Sequence, residues 1–508
     1  MSIDSQEART RGRAVTALLS GLLLCFLLSF YGWHNDFDFY YHTDEPGKVK
    51  QVLTGTRNFH HPLLMITATD LVVRVFVRDR TEQNVVETGR WFSAVSAALA
   101  AVAMALVTAR YCGKLIGFIA GVVLGIHPML FELAHYMKED CALMVGVAWS
   151  LVALLAVWRQ RTLLSVIFLG VASGVAISGK YIGCLILVSA TGLVVTLWRG
   201  QQAIWSRLLA LLAAFALTFL LINYQAVFRS ADAVVGVSGD LARFQTLSET
   251  GSLVRTNFLE KFPRKVPPVM LPFITIYLAG FIMRNVRRDG FEWALLAFWI
   301  LYFLAIHFTP LGRERYLLPV IVLSYFMTAR GISELLAWIP RLRGEPQRTI
   351  LAILCWAAIA AFQLPRVLVY QAEFGRDSRR EMVEWIAAHL PQNAVIIADR
   401  QAKLDEPVRT THASSLKRTV RQSRLAADFG PIDELKRGDA THVVAVHADY
   451  NLLLSNKTPS EKIRSKADFY RELFAREKLV WEKPPGLLRY IHPGLKIYEL
   501  GKNNREPR

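Results

Sequence analysis

Long apolar runs alternate with short basic connections through the first three quarters of the chain. The runs at 14–33, 91–109, 115–131, 142–158, 163–178, 182–198, 208–228, 266–283, 291–308, 316–329 and 350–362 approach or reach the length at which a helix crosses a hydrocarbon core of about 30 Å. They predict a polytopic α-helical membrane protein of about eleven transmembrane helices. The first run follows Arg9, Arg11 and Arg13 and ends in Ser29-Phe30-Tyr31-Gly32-Trp33, too aromatic for the small-residue site at which a signal peptide is cut. It therefore reads as a retained helix with a cytoplasmic N-terminus. Alternating sides from there puts the connections Arg110/Lys114, Arg159/Arg161, Arg199/Arg207, Arg284/Arg287/Arg288 and Arg330/Arg341/Arg343/Arg348 inside, as the positive-inside rule requires. The odd number of crossings leaves the C-terminus outside a plasma (inner) membrane, with outer loops at 34–90, 132–140 and 229–265.

Beyond 369 the pattern changes. Residues 370–508 are charged and lack a spanning run, with a helical period at 378–390, strand-like segments at 394–398 and 442–446, a helix at 460–479 and a last strand at 495–500. The expectation is a transmembrane domain over 1–369 followed by a small extracytoplasmic α/β domain, which holds no cysteine and relies on its apolar core.

Composition agrees with a bilayer as solvent: 53% of the 508 residues are hydrophobic, too many for an ordinary soluble surface. The formal charge of +18 would suggest nucleic acid if the basic residues formed compact patches, but many of them punctuate the apolar runs and encode topology instead. The five cysteines include no Cys-x-x-Cys pair, so neither a zinc site nor a disulfide framework is expected. A Cys141–Cys184 bridge near the outer face is disfavoured by the geometry a disulfide needs.

The polar residues that remain gather in the outer loops. Asp44-Glu45-Pro46 follows the first helix; in isolation the triplet reads as an acidic helix start with proline in the first turn. Adjacent His60 and His61 match no zinc spacing and are better suited to donating hydrogen bonds to a phosphate. Asp70 and Arg74, four apart, read as a structural pair. Lys138, Lys180, Arg313 and Arg315 fall near the outer boundary. Each alone reads as an interfacial anchor, but four on one side suit an anionic ligand.

These residues also carry a resemblance. The Asp44-Glu45 pair after the first helix, Gln51, Gly55, Phe59, Pro62-Leu63-Leu64, Lys138-Glu139-Asp140, Gly179-Lys180-Tyr181, Arg315-Tyr316-Leu317-Leu318-Pro319 and the closing His492-Pro493-Gly494-Leu495-Lys496-Ile497-Tyr498 resemble segments of the GT-C fold glycosyltransferases. That membrane family includes protein O-mannosyltransferases and bacterial lipid A aminoarabinose transferases. The chain departs from the aminoarabinose transferases where they carry a basic residue three positions after the aspartate and a later Lys-Pro-Pro turn. Here stand Gly47, with Lys48 beside it, and His61-Pro62-Leu63, which implies a different substrate.

The resemblance implies transfer of a sugar from a polyprenyl-phosphate donor to a lipid, glycan or protein acceptor on the outer face, with inversion. Asp44 would be the general base and Glu45 would orient it or hold the acceptor, while Lys138, Lys180, Arg313, Arg315, Tyr316, His60 and His61 would hold the donor phosphate. Glu139 and Asp140 are candidates to bind Mg²⁺ or Mn²⁺ with that phosphate, a salt bridge to Lys138 being the alternative, and the metal stays unassigned. Two rival readings remain. A transporter or flippase of lipid-linked substrates would place ionisable residues at mid-bilayer, where these runs hold almost none. A membrane-anchored binding module would not need so many helices.

Overall fold

Each apolar run becomes a helix, and the helices extend past the runs wherever polar residues still permit helical backbone. In the computed structural model all residues are described except 1–2, 36–39, 41, 237, 240–256, 284–287, 309–312, 340–343, 405–417, 456–460 and 502–508. Part of the aromatic and acidic stretch after the first helix, much of the loop 229–265, and the hinge residues Arg284, Arg287, Arg341 and Arg343 lie outside the described residues.

In chain order the first elements are α1 Ile3–Gly32, α2 Glu45–Thr54, α3 Leu64–Phe76, α4 Glu82–Cys112, α5 Lys114–Gly125, α6 Pro128–Ala134, α7 Glu139–Gln160, α8 Leu163–Gly179, α9 Leu185–Trp198, α10 Ala203–Ile222 and α11 Tyr224–Phe228. The helices Gly290–Phe308, Leu318–Trp338 and Glu345–Phe374 follow. Among the described residues eight helices are long and apolar enough to cross a membrane, or nine if α5 and α6, bent by 65°, form one broken span. Two shorter apolar helices, Leu163–Gly179 and Pro268–Ala279, complete a one-for-one match to the eleven predicted runs. The break has a local cause. Pro128 cannot donate to the turn before it, and His127 Nδ1 instead accepts from Met129 N–H at 3.2 Å, starting α6 afresh.

The protein divides into two compact units, Met1–Asn35 with Gly47–Val367 and Asp36–Pro46 with Leu368–Arg508. In the first, α4 presents Ala94, Ala97, Ala98, Ala100, Ala101 and Ala103 fully buried, the small side chains that let membrane helices approach closely. Helices α7 and α8 approach closer still. A Cβ on Gly146 would fall 2.3 Å from Ala176 N and one on Gly179 2.4 Å from Leu143 N. The start of α7 is thereby held against the end of α8.

The second unit contains a five-stranded sheet of β1 Val395–Asp399, β2 Thr419–Ser423, β3 His442–Val446, β4 Lys478–Lys483 and β5 Leu495–Glu499, in the order β2-β1-β3-β5-β4. β1 runs parallel to β2 and β3, and β5 antiparallel to β3 and β4. Alternation along β1 and β3 feeds two cores. Ile396 and Val444 join Met382 and Ile386, while Ile397 and Val443 join Tyr470 and Leu473. Buried Asp399 accepts from Ala426 N–H, Val446 N–H and the Tyr470 hydroxyl, tying the ends of β1 and β3 to the segments beyond them. All five cysteines are free, Cys141 and Cys184 included.

Candidate active site

Two polar centres hold most of the predicted residues, one in each unit. In the unit containing Asp36–Pro46, the chain reverses before α2. Glu45 N–H donates to His42 O at 3.1 Å, and Glu45 Oε2 accepts from His42 N–H at 3.3 Å. This reciprocal bracket holds the Glu45 carboxylate against the backbone, and Glu45 is completely buried. Asp44 differs: its side chain is 44% exposed. His42 Nδ1 accepts from Asp44 N–H at 3.1 Å, so its 3.7 Å approach to Asp44 Oδ2 brings two acceptors together and is not a bond. The His42 ring is fixed 4.5 Å from the Tyr490 ring.

The second centre lies within Gly47–Val367, at the start of α7. Glu139 and Asp140 occupy its first turn, where carboxylates complement the free amides and the helix dipole. Lys48 Nζ lies 2.9 Å from Glu139 Oε1, Lys180 Nζ bonds to Asp140 Oδ1, and Arg315 Nε is 3.6 Å from Asp140 Oδ2. Lys138 caps the helix in extended conformation, exchanging backbone hydrogen bonds with Ser93 Oγ at 3.4 Å. Tyr316 stands beside the cations, its ring centre 4.7 Å from Lys180 Nζ and 5.9 Å from Arg315 Cζ. Lys48, Lys138, Glu139, Asp140 and Lys180 are all buried.

Four basic residues thus surround two carboxylates, leaving two positive charges in excess in a largely dry site. Burial pushes the Lys138 ammonium down to about 8, with Glu139 and Asp140 opposing the shift and Arg315 and Lys180 adding to it. For His61, Glu139 favours the protonated ring most strongly. Desolvation, Lys180 and Lys48 together outweigh it and hold the group below its usual range. Uncompensated buried charge is costly, and an incoming anion with several oxygens would satisfy these donors. Glu139 Oε2 and Asp140 Oδ2 accept no hydrogen bond.

Not every predicted residue joins this centre. His60 lies at the surface with its N–H on Asn58 Oδ1, and Arg313 is exposed at the start of the short turn Glu314–Leu317. Lys48, in contrast, was not predicted as a ligand. Its signal was its place on α2, whose register brings it to Glu139. Divalent metal fits poorly, since both carboxylates already face ammonium or guanidinium groups. Among the described residues no three of His, Cys, Asp and Glu converge as a metal site.

The fold is similar to that of solved membrane transferases. The chain superimposes with a TM-score of 0.51 on crystal structures of ArnT from Cupriavidus metallidurans at 14% identity. The form bound to undecaprenyl phosphate is matched over 96% of this chain and 99% of that one, and the apo form over 97% and 100%. AglB, an oligosaccharyltransferase from Archaeoglobus fulgidus in complex with an inhibitory peptide and a dolichol-phosphate, gives 0.49 at 11% identity, over 96% of this chain and 80% of that one. Residues 60–224 match the family model described as dolichyl-phosphate-mannose-protein mannosyltransferase. No curated protein matches the sequence.

Proposed function

We propose that this protein is a glycosyltransferase that moves a sugar from a polyprenyl-phosphate carrier to an acceptor on the extracytoplasmic face, with inversion at the anomeric carbon. The observation that carries the reading is the excess of cations around buried Glu139 and Asp140, with both carboxylates and two of the four cations, Lys138 and Lys180, in the segment 60–224 that matches a mannosyltransferase family. The acceptor oxygen attacks the anomeric carbon as the bond from that carbon to the phosphate oxygen breaks. The proton of the acceptor passes to Asp44, and the carrier phosphate leaves with the bonding electrons. A phosphate is already a stable leaving anion, so the step needs a base at the acceptor and cations at the leaving oxygens. Lys138, Lys180 and Arg315 take the second role, and Lys48 steadies Glu139 among them. Asp44 takes the first because its carboxylate reaches solvent while that of Glu45 is held by the backbone N–H of His42.

Membranes containing the protein, supplied with a panel of labelled polyprenyl-phosphate sugars, should transfer label from one of them to an acceptor. Asp44→Asn keeps the shape of the side chain and its capping ability but cannot take the proton. Transfer should fall by about 10²- to 10⁴-fold with the melting temperature unchanged. Near-normal turnover in that variant would remove Asp44 from the chemistry.

A further inference from the structure

Helix α3 is unlike the spans around it. At 13 residues it is about 20 Å long, too short for a core of about 30 Å. One face, Met65, Ile66, Thr69, Asp70 and Val73, is buried. The opposite face exposes Leu71, Val72, Val75 and Phe76, the last at 80%. Its height relative to a bilayer is set by its neighbour. α10 is a 20-residue span whose side chains, Leu211 apart, are not buried, as expected of a lipid-facing helix. α3 is fastened to the end of that span: Thr67 Oγ1 donates to Ile222 O at 3.0 Å, and Leu63 N–H donates to Asn223 Oδ1 at 2.7 Å. The apolar stripe of α3 therefore lies at the level where hydrocarbon meets headgroups, joined there by exposed Tyr224, Val227 and Phe228 on α11.

The charges beside the stripe are unbalanced. Among the described residues Asp70 is the carboxylate paired with three guanidinium groups, Arg57 at 3.5 Å, Arg74 at 2.9 Å and Arg80 at 3.1 Å. Arg57 is buried with its Nε unpartnered. Burial lowers its basicity while Asp70 opposes the shift, and the positive charge of Arg229 adds to the lowering. Arg74 and Arg80 are more than a third exposed, so their remaining donors can be reached from the membrane surface.

We infer that α3 and its arginines form a binding site for a phospholipid of net negative headgroup. The phosphate sits on Arg74 and Arg80, above the buried charge of Arg57, and the acyl chains lie along Leu71, Val75 and Phe76. The site is separate from the centre at α7 and does not depend on the transferase reading. Arginine forks match phosphate oxygens, and an in-plane helix with an apolar face and a basic flank is built to rest in anionic lipid.

The test is native mass spectrometry of the full-length protein exchanged into phosphatidylglycerol or phosphatidylcholine and then stripped with detergent. Wild type should retain phosphatidylglycerol at least about tenfold better, as one charge-assisted contact implies. The Arg74→Gln/Arg80→Gln variant should lose that preference, and Arg74→Lys/Arg80→Lys should keep the fold and part of the preference. Phe76→Ser should weaken retention of both lipids. Arg471→Gln/Arg476→Gln removes the same charge from an exposed helix of the C-terminal unit and should change nothing. Equal retention of the two lipids by wild type, or equal loss in that C-terminal variant, overturns the site. So does a thermal shift from inorganic phosphate in lipid-free detergent as large as that from phosphatidylglycerol, since that would make it an anion site without a lipid.

Discussion

The membrane unit contains two buried ionic networks that resemble each other in composition and differ in closure. Around Glu139 and Asp140, four basic residues meet two carboxylates, and two carboxylate oxygens accept no hydrogen bond. At the helix ends formed by Gly290–Phe308 and Leu318–Trp338, two arginines meet two glutamates. Arg288 donates to Glu292 at 3.1 Å, to Glu334 and to Tyr277 O, and Arg330 donates to Glu292 at 3.0 Å. Arg288 is further enclosed by the Tyr277 and Phe281 rings at 4.2 and 4.9 Å. The neighbouring Tyr111 hydroxyl is spent on Asp289. One network is charge-balanced, with every Glu292 and Glu334 oxygen accepting a hydrogen bond and only Arg288 Nε and the Tyr277 hydroxyl left over among the described residues, as suits a structural clamp. The other is over-supplied with cations, a state that costs stability unless an anion arrives.

That difference should show first in stability. Replacing Arg288 by Met strands Glu292 and Glu334 without their shared partner in a dry site, a change that costs about 3–5 kcal/mol. The expected result is a large loss of melting temperature and of folded yield, with normal transfer per folded molecule. Were the variant to melt like wild type while losing activity, the clamp reading would fail.

The next effect runs the other way. Arg315→Ala removes one cation from a site that holds more than its carboxylates need, so the melting temperature should hold or rise slightly. Transfer should fall by about 10²- to 10³-fold, as when one electrostatic donor to a developing oxyanion is removed. The loss should appear in use of the lipid-phosphate donor at low donor concentration. Unchanged kinetics there would make Arg315 an interfacial anchor.

How much of this contrast was legible in the sequence follows from its causes. The eleven apolar runs were readable because a bilayer demands long apolar helices whatever their partners. Their ends were not: α4 begins at Glu82, nine residues before its apolar run, and the helix Glu345–Phe374 continues past 362 through Pro365. Hydropathy reports the solvent, not the hydrogen bonds. In the C-terminal domain the central strands β1, β3 and β5 were legible from their apolar runs. The missed β2 and β4 are the sheet's two edges, where Arg421 and Gln422 or Lys478, Glu482 and Lys483 interrupt the pattern and protect against further pairing. Topology put Lys138, Lys180 and Arg315 on one side. That Lys180 meets Asp140 depends on Gly179 letting α8 end against Leu143, and that Lys48 meets Glu139 depends on the register of α2. Close packing decides both, and no periodicity reports it.

The smallest effect is the finest test of the open network. The ammonium of Lys138 is held at about 8 by burial, below its ordinary range, so without donor it loses its proton as pH rises through 8. Its sign for stability is that of a depressed base. The folded state binds fewer protons than the unfolded one between about 8 and the usual lysine value near 10.5. This contribution is therefore most favourable above that window and is lost as pH falls through 8. Donor binding has the opposite preference, because phosphate needs the ammonium form and in turn raises its basicity. Donor affinity should be flat from pH 6 to 7 and decline above pH 8, by up to the roughly 1.5–3 kcal/mol of one charged hydrogen bond. A Lys138→Arg variant stays charged throughout and should bind donor with no decline over that range. The closed network offers a control, since Arg288 and Arg330 do not titrate there and Arg288→Lys should leave the profile unmoved. A donor-binding curve that stays level to pH 9.5 in wild type would place Lys138 away from the phosphate and leave Lys180 and Arg315 as its cations.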